Sequence, residues 1–286
     1  MLSQLQLLVN KFGAATQKPT GSEHSVLQIM LDLVDGQANG STNYSGEEVE
    51  SFYRTLAYFS AASLAAYSAD SATQLITRML SGVTLETHGR KIAQSFRLLL
   101  APSPTLNKSH FCTIRPLRKG LLFSLAGKIL IETWRSTSSP PNKTNCLIAL
   151  AGIIVYMDPS TLVENIELLF PALLEGTNIP SDEQAKATYI STIHVLIPLA
   201  PKTIISHLDS VINRMTLRTR YPKENSPKCR LMALEVLRAL VAHVDKGKLI
   251  ERKFLLIKEV DVALGDTSRE VRAKAAACKI AWFNLT

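Results

Sequence analysis

A chain of 286 residues with 46% apolar residues and a mean hydropathy of +0.10 has ample material for a core, which excludes global disorder. Its longest unbroken apolar run, residues 147–157, is too short to cross a bilayer, and no basic leading segment or small-residue cleavage site marks a secretory signal. The net charge of +8 is confined to one end: residues 1–200 hold 15 Lys+Arg against 15 Asp+Glu, whereas residues 201–286 hold 17 against 9.

In chain order, apolar positions at helical spacing predict helices over 3–11 and 23–34, then a Gly/Ser/Asn-rich loop over 35–45, then helices over 47–67, 71–80 and 87–100. The N-terminal end lacks a polar cap, so a longer solenoid is expected to precede it. From residue 142 onward the pattern becomes a repeat. Met157-Asp-Pro-Ser-Thr-Leu-Val-Glu-Asn-Ile166, Leu199-Ala-Pro-Lys-Thr-Ile-Ile-Ser-His-Leu208 and Val244-Asp-Lys-Gly-Lys-Leu-Ile-Glu-Arg-Lys253 align without gaps at spacings of 42 and 45 residues. Pro159 and Pro201 match, at a helix start where the missing N–H has no partner to lose. Each opening continues with apolar residues on one face: Leu162, Ile166, Leu169 and Leu173 in the first, Ile204, Leu208, Val211 and Met215 in the second. A second helix per unit is predicted over 142–156, 182–196, 227–243 and 268–283, with breaks at 136–141, 176–181 and 221–227. No two-residue alternation suggests a sheet.

Helix pairs recurring about every 42 residues fit the HEAT and armadillo period. The expected fold is therefore all-α, a HEAT-repeat superhelix (solenoid) in which each pair buries its apolar face on its neighbours. Residues 47–286 are expected to form the solenoid, with about five complete pairs from Asp70 on, and residues 1–46 the leading helices and loop. The last unit carries Asp266-Thr-Ser-Arg-Glu-Val271-Arg272 and Ala275, the Asp…Val-Arg…Ala pattern of HEAT repeats. Asp266 is expected to accept hydrogen bonds from the neighbouring unit and Val271 to enter the core.

The end of the chain, Val271-Arg272 through Trp282-Phe283, resembles the C-terminus of the MMS-nineteen family. The likeness extends through Lys143-Thr-Asn145-Cys-Leu147, Leu169-Phe-Pro171-Ala-Leu-Leu-Glu175 and Leu196-Ile-Pro-Leu-Ala-Pro201, covering residues 140–286, with the first half matched by helix order. That family is the HEAT-repeat scaffold of the cytosolic iron–sulfur protein assembly machinery. The resemblance implies a non-catalytic adaptor in cytoplasm and nucleus. Its partners would be the other subunits of the targeting complex and iron–sulfur apoprotein clients such as DNA repair and replication enzymes. The alternative is a nucleic-acid-binding HEAT protein of DNA repair or chromatin.

The residue chemistry agrees with an adaptor. No Gly-rich phosphate loop, GxSxG elbow or HExxH occurs, and His194, His207 and His243 fall at helix ends or flanks. No catalytic residue, metal site or cofactor is therefore expected. Cys112, Cys146, Cys229 and Cys278 are widely spaced, and His110 with Cys112 is the one close His/Cys pair, short of the four ligands zinc takes. The candidate partner-binding residues are the C-terminal cations: Arg214, Arg218, Arg220 and Lys223 at a helix end and loop, and Lys246, Lys248, Arg252 and Lys253 opening the next unit. Three readings stand: a solvated face, a surface for an acidic protein, and a nucleic-acid surface, the last without aromatic residues for stacking. In each, the side chains are expected to project from the fold. Trp282 and Phe283 are expected to cap the terminal core, the alternative being an exposed aromatic anchor.

Overall fold

The computed structural model describes residues 4, 6–11, 46–66, 69–114, 117–180, 182–220 and 225–286. The expected helix over 23–34, the loop over 35–45 and Lys223 lie outside these. Among the described residues there is helix and turn and no strand. The chain divides into two compact units, Met1–Met157 and Asp158–Thr286.

In the first unit, α1 (Gly46–Ala65) packs along α2 (Ala69–Gly82). α3 (Gly89–Ser95) runs into a 3-10 turn, Phe96–Leu99, which ends the helix expected over 87–100. A segment without an expected helix then forms three consecutive helical pieces: α4 (Arg118–Leu122), a π turn (Phe123–Gly127) and α5 (Lys128–Ser136). α6 (Pro140–Ile154) packs on both α3 and α5 and is buried from Asn145 to Ile154. At Gly152 the α6 backbone meets the 3-10 turn so closely that a Cβ would lie 2.7 Å from the Arg97 nitrogen. Residues 6–11 are helical, and Asn10 fastens them to the unit. Its Nδ2 donates to the Thr113 carbonyl (2.9 Å) and its Oδ1 accepts from the Thr113 N–H (2.8 Å).

The second unit is three stacked repeats. Each has a first helix in two pieces and a longer second helix: α7 (Pro159–Glu164), α8 (Ile166–Gly176) and α9 (Glu183–Leu199); α10 (Pro201–Ser206), α11 (Leu208–Thr219) and α12 (Pro227–His243); α13 (Lys246–Ile250), α14 (Lys253–Asp261) and α15 (Arg269–Phe283). Pro159, Pro201 and Pro227 stand in the first helical turn, as the sequence predicts for the first two. The apolar positions of the opening helices are all buried: Leu162, Ile166, Leu169 and Leu173, and Ile204, Leu208, Val211 and Met215. α9 stacks on α12 and α12 on α15, so the second helices form the continuous core.

The opening helices are not continuous, contrary to expectation. They break at Asn165, His207 and Arg252, each the seventh residue after its N-cap. Asn165 and His207 share φ near −111° and −115°. Asn165 Nδ2 donates to the Thr161 carbonyl and Arg252 Nη1 to the Lys248 carbonyl. In both, a side chain satisfies the carbonyl four residues back that the bent backbone no longer reaches. At the middle break the His207 ring stacks on Phe170 of the preceding repeat, with centroids 5.0 Å apart.

Candidate functional site

The second unit concentrates the candidate residues, and most of its ion pairs join a charge to its opposite in the adjacent repeat. The strongest case is Arg230 of α12, in the first turn of a second helix. Its Nε donates to Asp266 Oδ2 (2.7 Å) and its Nη2 to Oδ1 (2.9 Å), with side chains 4% and 0% exposed. Asp266 also accepts from the Ser268 N–H, and its acidity reflects the balance. Burial raises its pKa, and the Arg230 and Ser268 hydrogen bonds outweigh that to hold it below the usual range. Asp266 thus takes hydrogen bonds from the neighbouring unit and Val271 is fully buried, as the sequence pattern predicts. Arg272 completes the loop by donating to the Asp266 and Thr267 carbonyls.

The same place one repeat earlier holds Lys186, which is buried and donates to Glu183 (2.7 Å) and to Asn225 (3.4 Å). Glu183 Oε2 in turn accepts from the Ser226 N–H at 2.7 Å. Burial raises the Glu183 pKa, but the Lys186 and Ser226 bonds bring it down to about 2.

The expected basic surface is used in the same way. Arg214 donates to the Leu174 carbonyl and to Glu175 across to the preceding repeat (2.9 Å). Arg220 bridges forward to Glu259, and Arg252 back to Asp209. Arg218 reaches Asn225 (3.4 Å). Lys253 donates to the Leu285 carbonyl (2.8 Å) and lies 5.6 Å from the centre of the Phe283 ring. The physical reason is register. Partners 39 to 43 residues apart lie side by side when the chain returns after one repeat. Of the expected patch, Lys246 and Lys248 are the described members left exposed without such a bridge.

What the face of the first helices does offer is apolar. Leu217 of α11 and Phe254 and Leu255 of α14 are 46%, 82% and 65% exposed. Between α11 and α14 lies a cavity of about 340 Å³ with Leu217 and Leu255 in its wall. The two ion pairs Arg220–Glu259 and Arg252–Asp209 border it. These apolar residues and the acidic partners were not singled out in the sequence. Opposite charges separated by one repeat length were the available signal.

At the terminal repeat the two aromatic residues separate. Trp282 is fully buried, and its Nε1 donates to the Leu237 carbonyl of α12 (2.9 Å). Phe283, expected in the core, is 66% exposed because the next residue on the helix turns away from α12. The cysteines are all buried. Burial pushes Cys146 and Cys229 up to about 11 and Cys278 up to about 12. His110 Nδ1 and Cys112 Sγ both lie against the Thr105 carbonyl oxygen. No cluster of metal-ligating side chains occurs among the described residues. No helix among them is long and apolar enough to cross a membrane.

Solved structures show the fold class. Computationally designed armadillo repeat proteins for modular peptide recognition superpose with a TM-score of 0.54 at 13% identity, covering 87% of this chain and 98% of that one. Cex1p superposes with a TM-score of 0.51 at 16% identity, covering 99% of this chain and 48% of that chain. The fold is an α-solenoid of the HEAT and armadillo type.

Sequence relatives point to one family. The MMS19 nucleotide excision repair protein homolog of Xenopus tropicalis is 27% identical over 216 residues, and that of Dictyostelium discoideum 25% over 210. A DNA repair/transcription protein of Saccharomyces cerevisiae, the MMS19 of that yeast, is 19% identical over 217 residues. These alignments cover 71% to 74% of this chain and 18% to 21% of the relatives, so the chain spans about a fifth of their length. The family model for MMS19_C, described as RNAPII transcription regulator C-terminal, matches residues 1–241. It includes the first half, where the residue-level resemblance rested on helix order, and stops before Trp282 and Phe283. By that match the chain belongs to the MMS19 family and corresponds to its C-terminal region.

Proposed function

We propose that this chain is the C-terminal part of a non-catalytic scaffold that brings iron–sulfur apoproteins, DNA repair and replication enzymes among them, to the subunits of the cytosolic targeting complex. It would work in cytoplasm and nucleus. One observation supports a protein-docking role over chemistry. In the second unit charged side chains tie repeat to repeat, while Leu217 and Leu255 stand exposed in the wall of the cavity between α11 and α14 and Phe254 is exposed on the same helix as Leu255. Exposed apolar side chains rimmed by polar groups characterise protein interfaces. The exposed Lys246 and Lys248 would contribute steering, through the association rate.

The test is association kinetics of the protein with reconstituted targeting-complex subunits, with a DNA duplex run in parallel. Leu255→Glu should slow or abolish capture while leaving helical content unchanged. Lys246→Glu with Lys248→Glu should lower the association rate, and more so at low salt. Reversing Arg214, Arg218 and Arg220 to Glu should lower the melting temperature, because Arg214 and Arg220 join repeats. Capture unaffected by Leu255→Glu would overturn the docking face. Salt-sensitive duplex binding lost with Lys246 and Lys248 would favour nucleic acid instead.

A further inference from the structure

The first unit contains a different kind of site. A cavity of about 510 Å³ is walled by Tyr58 of α1, the loop after the 3-10 turn, the first residues of α4, and Tyr156. The loop is held in place from several directions. Gln6 Oε1 accepts from Ser103 Oγ (3.1 Å) and Thr105 Oγ1 (2.9 Å). Asn107 donates to the Pro104 carbonyl and accepts from the His110 N–H. The cavity is therefore a built feature with fixed walls.

Arg118 is the unusual member of its lining. It is half-buried, and it makes no hydrogen bond or ion pair among the described residues. Burial alone moves its pKa, downward, with no carboxylate acting on it. Of the other partly or fully buried arginines, Arg214, Arg230 and Arg252 each face a carboxylate and Arg218 reaches the Asn225 side-chain oxygen. A guanidinium that has given up hydration without gaining an acceptor is costly. The sequence nearby supplies no acceptor: from Thr87 to Ile131 there are eight Lys and Arg and no Asp or Glu. Tyr58 and Tyr156 line the same cavity, and neither has a side-chain hydrogen bond among the described residues.

We propose that this cavity binds an acidic side chain of an extended peptide segment, with Arg118 taking the carboxylate and the leucine and proline wall taking the neighbouring apolar side chains. One guanidinium fork matches the two oxygens of one carboxylate. Lys119 already has an interaction of its own, so the uncommitted charge of the wall is a single one, suited to a monoanion more than to a phosphate dianion. The accessible apolar part of the wall, Leu98, Ala101, Pro102 and Pro104, gives such a segment area to bury. The site lies wholly in the first unit and does not depend on the docking face of the second.

The experiment uses the full chain against an array of blocked six-residue peptides, each with one Glu among Leu and Pro residues, and a matched array with Gln. A subset of Glu peptides should bind, with affinity falling about tenfold or more in the Gln counterpart and again in Arg118→Gln. Arg118→Lys should retain part of the binding, because it keeps the charge and loses the fork. Lys228→Gln, in the other unit, should change nothing. Inorganic phosphate at millimolar concentration should compete poorly. Arg118→Gln should also melt at or above the wild-type temperature, since it removes an uncompensated charge. Equal binding of Glu and Gln peptides, absence of any bound peptide, effective competition by phosphate, or a large fall in melting temperature for Arg118→Gln would each overturn the proposal.

Discussion

Replacing Arg230 by Met tests what holds one repeat to the next. The substitution keeps the bulk of the side chain and removes both hydrogen bonds to Asp266, which is left with 0% of its side chain exposed. Breaking one partner out of a buried pair costs about 3–5 kcal/mol, because the remaining charge is stranded. Asp266 retains the Ser268 N–H and the nearby Arg272 guanidinium, so a value near the lower bound, about 3 kcal/mol, is expected. Asp266→Asn alone should cost less, about 2 kcal/mol, since the amide can still accept from Ser268. In the double variant no charge is stranded, and the loss should fall short of the sum by about 2 kcal/mol. Urea unfolding gives the energies, and amide exchange locates them. Protection should fall in α15 and at the start of α12, with α6 in the first unit unaffected. Single losses below about 1 kcal/mol that simply add would place the pair among ordinary surface bridges and refute the reasoning.

Other perturbations probe other parts of the stack. Trp282→Ala should cost about 4 kcal/mol and Trp282→Phe about 1 kcal/mol, because Phe keeps most of the buried volume and loses the bond to Leu237; in chemical denaturation, no loss for Trp282→Phe would refute the hydrogen bond's role, and equal losses would refute the packing share. Gly176→Ala should destabilise by about 2 kcal/mol even though alanine favours helices, since its Cβ would lie 2.2 Å from the Tyr189 ring; a gain in melting temperature would refute this packing. Glu183 has a lowered folded pKa, so the stability it supplies is present above its ordinary value of 4.5 and is lost as pH falls toward about 2. Its side chain is 39% exposed, so screening reduces the loss to about 1 kcal/mol, and a Glu183→Gln variant should show a correspondingly flatter acid titration of stability.

The sequence exposed the repeat because helix packing leaves periodic marks: Leu162, Ile166, Leu169 and Leu173 are spaced as a helix face demands, and all are buried. The breaks left no such mark. Asn165, His207 and Arg252 share a position but no side-chain type, and the apolar spacing continues across them. The helical segment from Arg118 to Ser136 escaped for a different reason. Its run from Gly120 to Ile131 is apolar nearly all round, and the π turn at Phe123–Gly127 shifts the helical register, so no period stands out. Charge misled through averaging. The excess after residue 200 was visible but its partners were one repeat away, whereas the acid-free stretch around Arg118 was cancelled by acidic residues elsewhere in residues 1–200.

Three of the buried thiols, Cys146, Cys229 and Cys278, also make the fold its own reporter. A thiol held out of solvent, with its ionisation pushed to about 11 or 12, reacts with a disulfide or maleimide reagent only when the surrounding helices part. Cys146 samples α6 in the first unit, Cys229 the seam where it lies 3.7 Å from the Glu183 carbonyl, and Cys278 the last helix. Labelling rates at these positions, read by mass spectrometry on the unmodified protein, give opening frequencies at separate places along one chain. Oxidative ageing of the protein is governed by the same openings, so a variant that loosens one seam should lose that seam's thiol first.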